Sequence, residues 1–519
     1  MNSSKTKGMK KAVALLLVAA MMLAVLAGCG GGSGDGGDSE ARTDLIFALS
    51  AEPNKLDPMA IAMMSTFTVT YAIYDNLVEE DENGEFVPCL AENVDISEDG
   101  LEYVFTLRQG VKFHDGSEMT ADDVVFSINR TIEKGWAFDM TAFISNVEKV
   151  DDYTVKMTLN TPFGGMLGSL ASPYFSIMSK NYLEEKGDDI VEREPMGTGA
   201  YKFVEWVSGD HITLEANEDY FQGAPAIKNV TFKPITDKNT GLISLQTGEI
   251  DAYLNVNAID IPTVEDDDSL AFYSTELAAV LSLNMNVEAA PLDNADVRKA
   301  INYAINKQNI IDGALEGRGT VANSAISPTC DGYSENVKAY EYDPEKAKEL
   351  LAGAGYTESN PLNLTIKLKE DAKNQKVAQV IQNDLKQVNV NVEIDVMEAG
   401  AYTTDIYSNG NYQMTISSWC AMFPDAYSLL YSQFHKDCYG STGNITHVVS
   451  DELSGALETA AGKTGDEKIA AYDGVAQMIQ DNAYVVSMVY EPTTITTGAN
   501  LKGVEANTLG IYKIKKWSW

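Results

Sequence analysis

The spacing of apolar and polar positions along the chain switches between two periods. From Leu101 to Leu107 (Leu-Glu-Tyr-Val-Phe-Thr-Leu) aromatic and β-branched residues partly alternate with polar ones, the mark of a half-buried strand. Glu98-Asp99-Gly100 just before it predicts a hairpin turn, and His114-Asp115-Gly116 marks another. At Thr120 the period changes. Thr120 opens a helix over the apolar-periodic run Val124 to Ile132, with Asp123 reaching back as a variant of the capping box. Residues 152–159 return to alternation. Helical spacing recurs over 294–311, 344–354 (stopped by Gly355), 376–388 and 469–480, with strands at 362–369 and 390–397 between them. Helices following strands at this rhythm predict α/β lobes. No repeat of fixed period is present.

The N-terminus departs from this rhythm. Lys5, Lys7, Lys10 and Lys11 precede an apolar run, Ala12 to Val25, which is shorter than the roughly 18 to 20 residues that span a bilayer. An export signal over residues 1–28 is expected. Leu26-Ala27-Gly28-Cys29 follows directly and resembles the bacterial lipobox, which implies cleavage before Cys29 and acylation of that cysteine. Two or three acyl chains, at about 0.8 kcal/mol per buried methylene, tether a protein durably to a membrane surface without spanning it. Gly30 to Asp38 (Gly-Gly-Gly-Ser-Gly-Asp-Gly-Gly-Asp) has nothing apolar to bury and reads as a flexible leash, so residues 29–40 link lipid to fold. No later stretch is long and apolar enough to cross a membrane.

Composition narrows the partners. A chain of 519 residues exceeds one ordinary core, so two or more lobes are expected. A formal net charge of −38 repels phosphate backbones and anionic headgroups, which excludes nucleic acid as a partner. Beyond Cys29 there remain Cys89, Cys330, Cys420 and Cys438. In an exported chain they allow two disulfides in three connectivities, and Cys420 and Cys438 are the nearest pair.

Chemistry-bearing patterns are absent or weak. Asp95-Ile-Ser-Glu-Asp-Gly100 imitates half a calcium loop, but Thr106 stands where a bidentate Glu is required, and a hairpin turn is the better reading. Gly197-Thr-Gly199 has no Gly-Lys-Ser/Thr after it, so a nucleotide site is not expected. His114, His211, His435 and His447 lack ligand spacing, no Cys-x-x-Cys occurs, and no Gly-x-Ser-x-Gly elbow is found. Glu265-Asp-Asp-Asp268 reads as a solvated loop. Neither an enzyme nor a metal or cofactor is expected.

A series of short segments in order carries a resemblance. It comprises Glu52-Pro53-x-x-Leu56-Asp57-Pro58, Ile73-Tyr-Asp-Asn-Leu-Val78, Pro88-x-Leu-Ala-Glu92 and Tyr103-x-Phe-x-Leu-Arg-x-Gly-Val-Lys-Phe-His-Asp-Gly116. It continues with Thr120-Ala-Asp-Asp-Val124, Gly197-Thr-Gly-Ala-Tyr201, Gly248-Glu-Ile-Asp251, Val297-Arg-Lys-Ala-Ile301 and Tyr342-Asp-Pro-x-Lys-Ala347. Together, from about Ala51 to the C-terminus, these resemble the extracellular solute-binding proteins of the peptide and nickel class, which serve ABC importers. The resemblance implies an α/β, type II periplasmic-binding-protein fold of two lobes with an additional domain. By it, domain I combines 40–75, 193–280 and 498–519, domain II is 76–192, and domain III is 281–497. It implies a lipid-anchored monomer outside the cytoplasmic membrane that closes on a peptide or peptide-like solute and presents it to permease subunits.

The same resemblance points to a site. Dipeptide and oligopeptide binders hold a ligand's amine with the Asp of Trp-x-x-Asp; here the stretch is Trp419-Cys-Ala-Met422, and Met422 replaces that Asp. Either Asp425 takes the amine, or the ligand has no free amino terminus, as in a blocked peptide, a sugar or a metal chelate. Lys367 and Lys369 lie near the position where dipeptide binders carry an Arg for the carboxylate. Trp419, Met422, Asp425 and Tyr427, with Met63 and Met64, are the expected ligand-binding residues; for Trp419, Met63 and Met64 a core role is the alternative.

Overall fold

A computed structural model describes residues 42–60, 63–440 and 443–519. The expected export signal, the acylated Cys29 and the glycine leash lie outside them. Among the described residues no helix is long and apolar enough to cross a membrane. The fold is α/β, as the alternating periods predict.

Two large sheets dominate. The first has seven strands in the order β12 (Leu270–Glu276), β19 (Pro492–Gly498), β11 (Ala252–Leu254), β1 (Asp44–Leu49), β10 (Asn229–Pro234), β9 (His211–Ala216) and β8 (Tyr201–Val207). The second has six, in the order β14 (Thr320–Val321), β18 (Val485–Tyr490), β13 (Ala279–Met285), β17 (Met414–Cys420), β15 (Leu362–Lys369) and β16 (Val390–Met397). Strands β13 and β18 are buried at every residue and read as near-continuous apolar runs, because both faces of the sheet are covered there. The expected strands 362–369 and 390–397 occur with those limits as the parallel pair β15 and β16.

The chain passes between these sheets twice, from β12 to β13 through Leu277-Ala278, and from β18 to β19 through Glu491 alone. Strands β15, β16 and β17 are parallel, and β18 shares their direction since both β17 and β18 are antiparallel to β13. Their carboxyl ends, Lys369, Met397, Cys420 and Tyr490, therefore lie on one edge. In the seven-stranded sheet β1, β10 and β11 are parallel and end at Leu49, Pro234 and Leu254, on the edge where β19 begins. A one-residue crossing from Tyr490 to Pro492 makes these two edges face each other. A crevice outside the carboxyl ends of parallel strands is where open α/β sheets bind ligands.

A third, antiparallel sheet, β4 (Ala91–Ile96), β5 (Glu102–Leu107), β7 (Thr154–Leu159) and β6 (Ile144–Asp151), is joined by the small pair β2 (Val78–Glu80) and β3 (Phe86–Pro88). The Asp95 to Gly100 segment is the end of β4 and the turn from Ser97 that leads into β5, with Gly100 at φ 69°. The helix Ala121–Lys134 opens with the expected capping box, in which Thr120 N donates to Asp123 Oδ2 at 2.9 Å, and ends at the left-handed Gly135.

Most of the recurring sequence segments meet at the junction of this third sheet with the seven-stranded one. Arg130 forms a bidentate pair with Asp57 (3.0 and 2.6 Å), both side chains nearly sealed from solvent, and also reaches Asp188 at 2.6 Å. Asp75 accepts from Tyr220 (2.8 Å) and Thr198 (2.9 Å), while Asn76 donates to the Leu170 and Ser172 carbonyls. Gly197 and Gly199 lie so close to Ile73 that an added Cβ would fall 2.3 to 2.6 Å from its carbonyl oxygen. His114 lies between the same two glycines, 3.0 Å from the Gly199 oxygen and accepting from Gly197 N, and burial pushes its pKa down to about 4.

Some expectations are corrected. Residues 294–311 form two helices, Ala295–Ala304 and Lys307–Ala314, because Ile305 turns extended and the Asn306 side chain caps the second. The helix expected over 376–388 begins at Ala372, capped by Asp371, and that over 469–480 extends to Gly465–Asp481. Strand β19 hydrogen-bonds within the seven-stranded sheet. Cys89, Cys330 and Cys420 carry no disulfide, so the suggested bridge from Cys420 to Cys438 is not formed.

Candidate functional site

The crevice edge of the six-stranded sheet gathers residues from three strand ends. Strand β17 delivers Ser418 and Cys420 exposed and Trp419 half-buried at its last residues. Met422 follows, half-buried against the core, its backbone N–H donating to Ser428 Oγ at 2.7 Å. From the other sheet, the loop after β1 brings half-buried Met63 and 46% exposed Met64 to the start of the helix Met64–Ile73. Trp419 and Met422 thus stand at and just beyond the carboxyl end of β17, while Met63 and Met64 stand at the start of the helix that follows the β1 loop.

Asp425 and Tyr427 are placed differently. Asp425 caps the helix Ala426–Phe434, accepting from Tyr427 N at 2.8 Å, and pairs with Lys468 Nζ at 2.5 Å; Lys468 also meets Asp331 at 2.6 Å. The side chains of Asp425 and Lys468 are 4% and 1% exposed. Burial works against both charges, and the two carboxylates outweigh it for Lys468, whose pKa is raised. The Asp425 carboxylate is thus engaged by Lys468 and by the helix it caps. Tyr427 is buried in an aromatic cluster with Phe143 and Phe163, whose rings stack at 4.0 Å, and its hydroxyl donates to the Asp139 carbonyl at 3.4 Å. Lys367 is held by Asp405 at 2.5 Å, whereas Lys369 is exposed at the end of β15.

Three residues that sequence reasoning passed over complete the edge. Lys373, in the first turn of the helix Ala372–Lys386, donates to both carboxylate oxygens of Glu491 at 2.9 and 3.0 Å. Beside them lies the Cys420 thiol. It is accessible to solvent, yet surrounding protein, chiefly by desolvation and then by the Glu491 charge, pushes its pKa up to about 11. A signal for Glu491 existed: it is the single charge in the run Val485 to Thr497.

Other hollows lie on the outer faces. One of about 530 Å³ surrounds Arg193, which stacks on Trp206 at 3.7 Å, and one of about 510 Å³ adjoins Arg130 and Asp188. Among the described residues no group of three His, Cys, Asp or Glu side chains is placed to hold a metal ion.

Comparison with known proteins agrees with this architecture. The chain is 34% identical over 374 residues to the glutathione-binding protein GsiB of Pectobacterium atrosepticum, covering 71% of this chain and 72% of that one. Its fold is similar to that of the ABC transporter-associated periplasmic binding protein DppA from Helicobacter pylori in complex with peptide STSA (TM-score 0.81, 30% identity, 92% and 98% covered). It is also similar to NikZ from Campylobacter jejuni in complex with Ni(L-His) (TM-score 0.81, 25% identity, 92% and 100% covered). The profile described as "Bacterial extracellular solute-binding proteins, family 5 Middle" matches residues 85–441, and the chain belongs to this family of extracytoplasmic solute-binding proteins of ABC importers, which are binding proteins and not enzymes.

Proposed function

We propose that this solute-binding protein captures peptides or a peptide-like solute in the crevice between its two large sheets and presents it, closed, to its membrane permease. The observation that carries this reading is the pair of facing carboxyl-end edges; in this reading Trp419 and Met422, after the end of β17, line one side of the crevice and Met63 and Met64 line the other. The likeness to the peptide-bound DppA, which spans 92% of the chain, supports it. Closure follows if the ligand binds the closed form better than the open one, and only by that difference in affinity. In this reading the protein works as a monomer, held at the membrane by an acylated Cys29. Asp425 and Tyr427 belong to the scaffold.

A second reading keeps the crevice and changes the cargo. Met422 occupies the place of an amine-binding Asp, and Asp425 is engaged by Lys468, so the stretch after Trp419 offers no free carboxylate to a ligand ammonium. A solute without a free amine, such as a blocked peptide or a chelate, fits that loss.

Isothermal titration of ligand-free protein against di- to hexapeptides, glutathione and nickel–histidine distinguishes them. Binding of at least one peptide at micromolar affinity or better is expected. Silence toward every peptide, with binding of the chelate, would remove the peptide assignment.

A further inference from the structure

Two carboxylate–lysine pairs follow the ends of strands in the six-stranded sheet, and they differ in what holds them. Lys468, at 1% exposure, is held between Asp331 and Asp425. Glu491 is the single residue between β18 and β19, fixed on the crossing backbone, with its side chain 12% exposed. Its partner Lys373 stands in the first turn of the helix that follows β15, on a flexible four-carbon stem that is 41% exposed. Accessible Cys420, the last residue of β17, lies in the same charged neighbourhood. A nearly buried carboxylate requires a cation, but nothing requires that the cation be Lys373. An ammonium group arriving on a ligand satisfies Glu491 equally well, and Lys373 then turns its charge to water at little cost because it is already half outside.

We infer that Glu491 is the receptor for the ligand's ammonium group, and that Lys373 is a resident stand-in displaced when the ligand enters. This rests on the peptide reading above and deepens it. The chain has not lost amine recognition with Met422; the carboxylate has moved from the segment after Trp419 to the crossing strand. The arrangement sets a specificity rule, since a ligand whose amine is acylated cannot replace Lys373 and must bind over an intact ion pair. It also predicts that the lysine of the pair acts as a competitor, which a purely structural ion pair does not.

The test uses the whole mature chain and a mixed di- to hexapeptide pool in two forms, free-amine and N-acetylated, with bound peptides read by native mass spectrometry and the tightest binder titrated calorimetrically. Wild-type protein is expected to retain the free-amine pool at least tenfold better. Glu491→Gln should weaken free-amine binding by about 100-fold and leave the acetylated form unchanged. Lys373→Met, which keeps the stem and removes the competing charge, should strengthen free-amine binding by about tenfold, because the free protein then carries an unpaired carboxylate. Equal retention of the two pools by wild type, or weaker free-amine binding by Lys373→Met, overturns the inference and leaves the peptide reading standing. Retention of neither pool overturns both. The opposite signs expected of the two variants separate this role from a general loss of folding.

Discussion

The junction between the antiparallel sheet and the seven-stranded sheet, and the crevice rim, are built on opposite principles. At the junction, charged and polar side chains are buried, mutually saturated and backed by close backbone contacts: Asp57 with Arg130, Asp75 with Tyr220 and Thr198, Gly197 and Gly199 against Ile73. Around the proposed crevice Trp419, Met422 and Met63 are part-covered, Met64 is exposed, and the ion pair of Lys373 with Glu491 is half open to solvent. The junction is where the recurring segments of the family resemblance fall, and the rim is where this chain departs from it at Met422. Frame residues cannot change without leaving a buried charge unmatched. Rim residues change at the cost of a ligand, and families of one fold diverge there.

The comparison is broken most severely by removing one member of a sealed pair. Arg130→Met leaves Asp57 and Asp188 without their guanidinium and should cost about 3 to 5 kcal/mol of stability in urea unfolding, with ligand affinity of the folded fraction unchanged. Equal loss of affinity would merge frame and rim. A smaller effect, of opposite sign, is expected at Asp139, which is 8% exposed where the helix Phe138–Thr141 meets the helix Ala426–Phe434. Desolvation pushes its carboxyl up to about 6, above its unfolded value. The protonated form is the one that favours folding, so this stability is present at acid pH and is lost as pH rises through 6. Asp139→Asn should therefore stabilise the protein by about 2 kcal/mol above pH 7, with the advantage vanishing toward pH 4 in thermal melts across pH. Smallest for the fold is Trp419→Ala: thermal stability should fall by less than about 1 kcal/mol, while calorimetric affinity falls by about 1 to 3 kcal/mol. A Trp419→Ala variant that melts early and binds normally would return Trp419 to the core.

What the residues disclosed in advance follows from the range of each interaction. Strands β15 and β16 were legible to the residue because alternation, turn residues and a following helix all act within ten positions. The break at Ile305 was not, since Ile301, Ala304, Ile305, Ile310 and Ile311 all pack into one core on both sides of it, and apolar spacing runs through the interruption. The candidate site was legible only as a stretch. Trp419 lies near the end of β17 and Met422 just beyond it, but the strand itself and its direction were not marked by the pattern. Asp425 looked available because its partner, Lys468, lies 43 positions away; Lys373 and Glu491 are 118 apart, and nothing local to either names the other. Long-range charge pairing is the part of a site that no periodicity carries.

The thiol of Cys420 has a practical consequence. Cys89, Cys330 and Cys438 are buried, whereas Cys420 is exposed at the end of β17, beside Lys373 and Glu491. An environment-sensitive dye coupled there, at alkaline pH where the thiolate becomes populated, would turn the chain into an optical sensor of its own cargo without a single engineered residue.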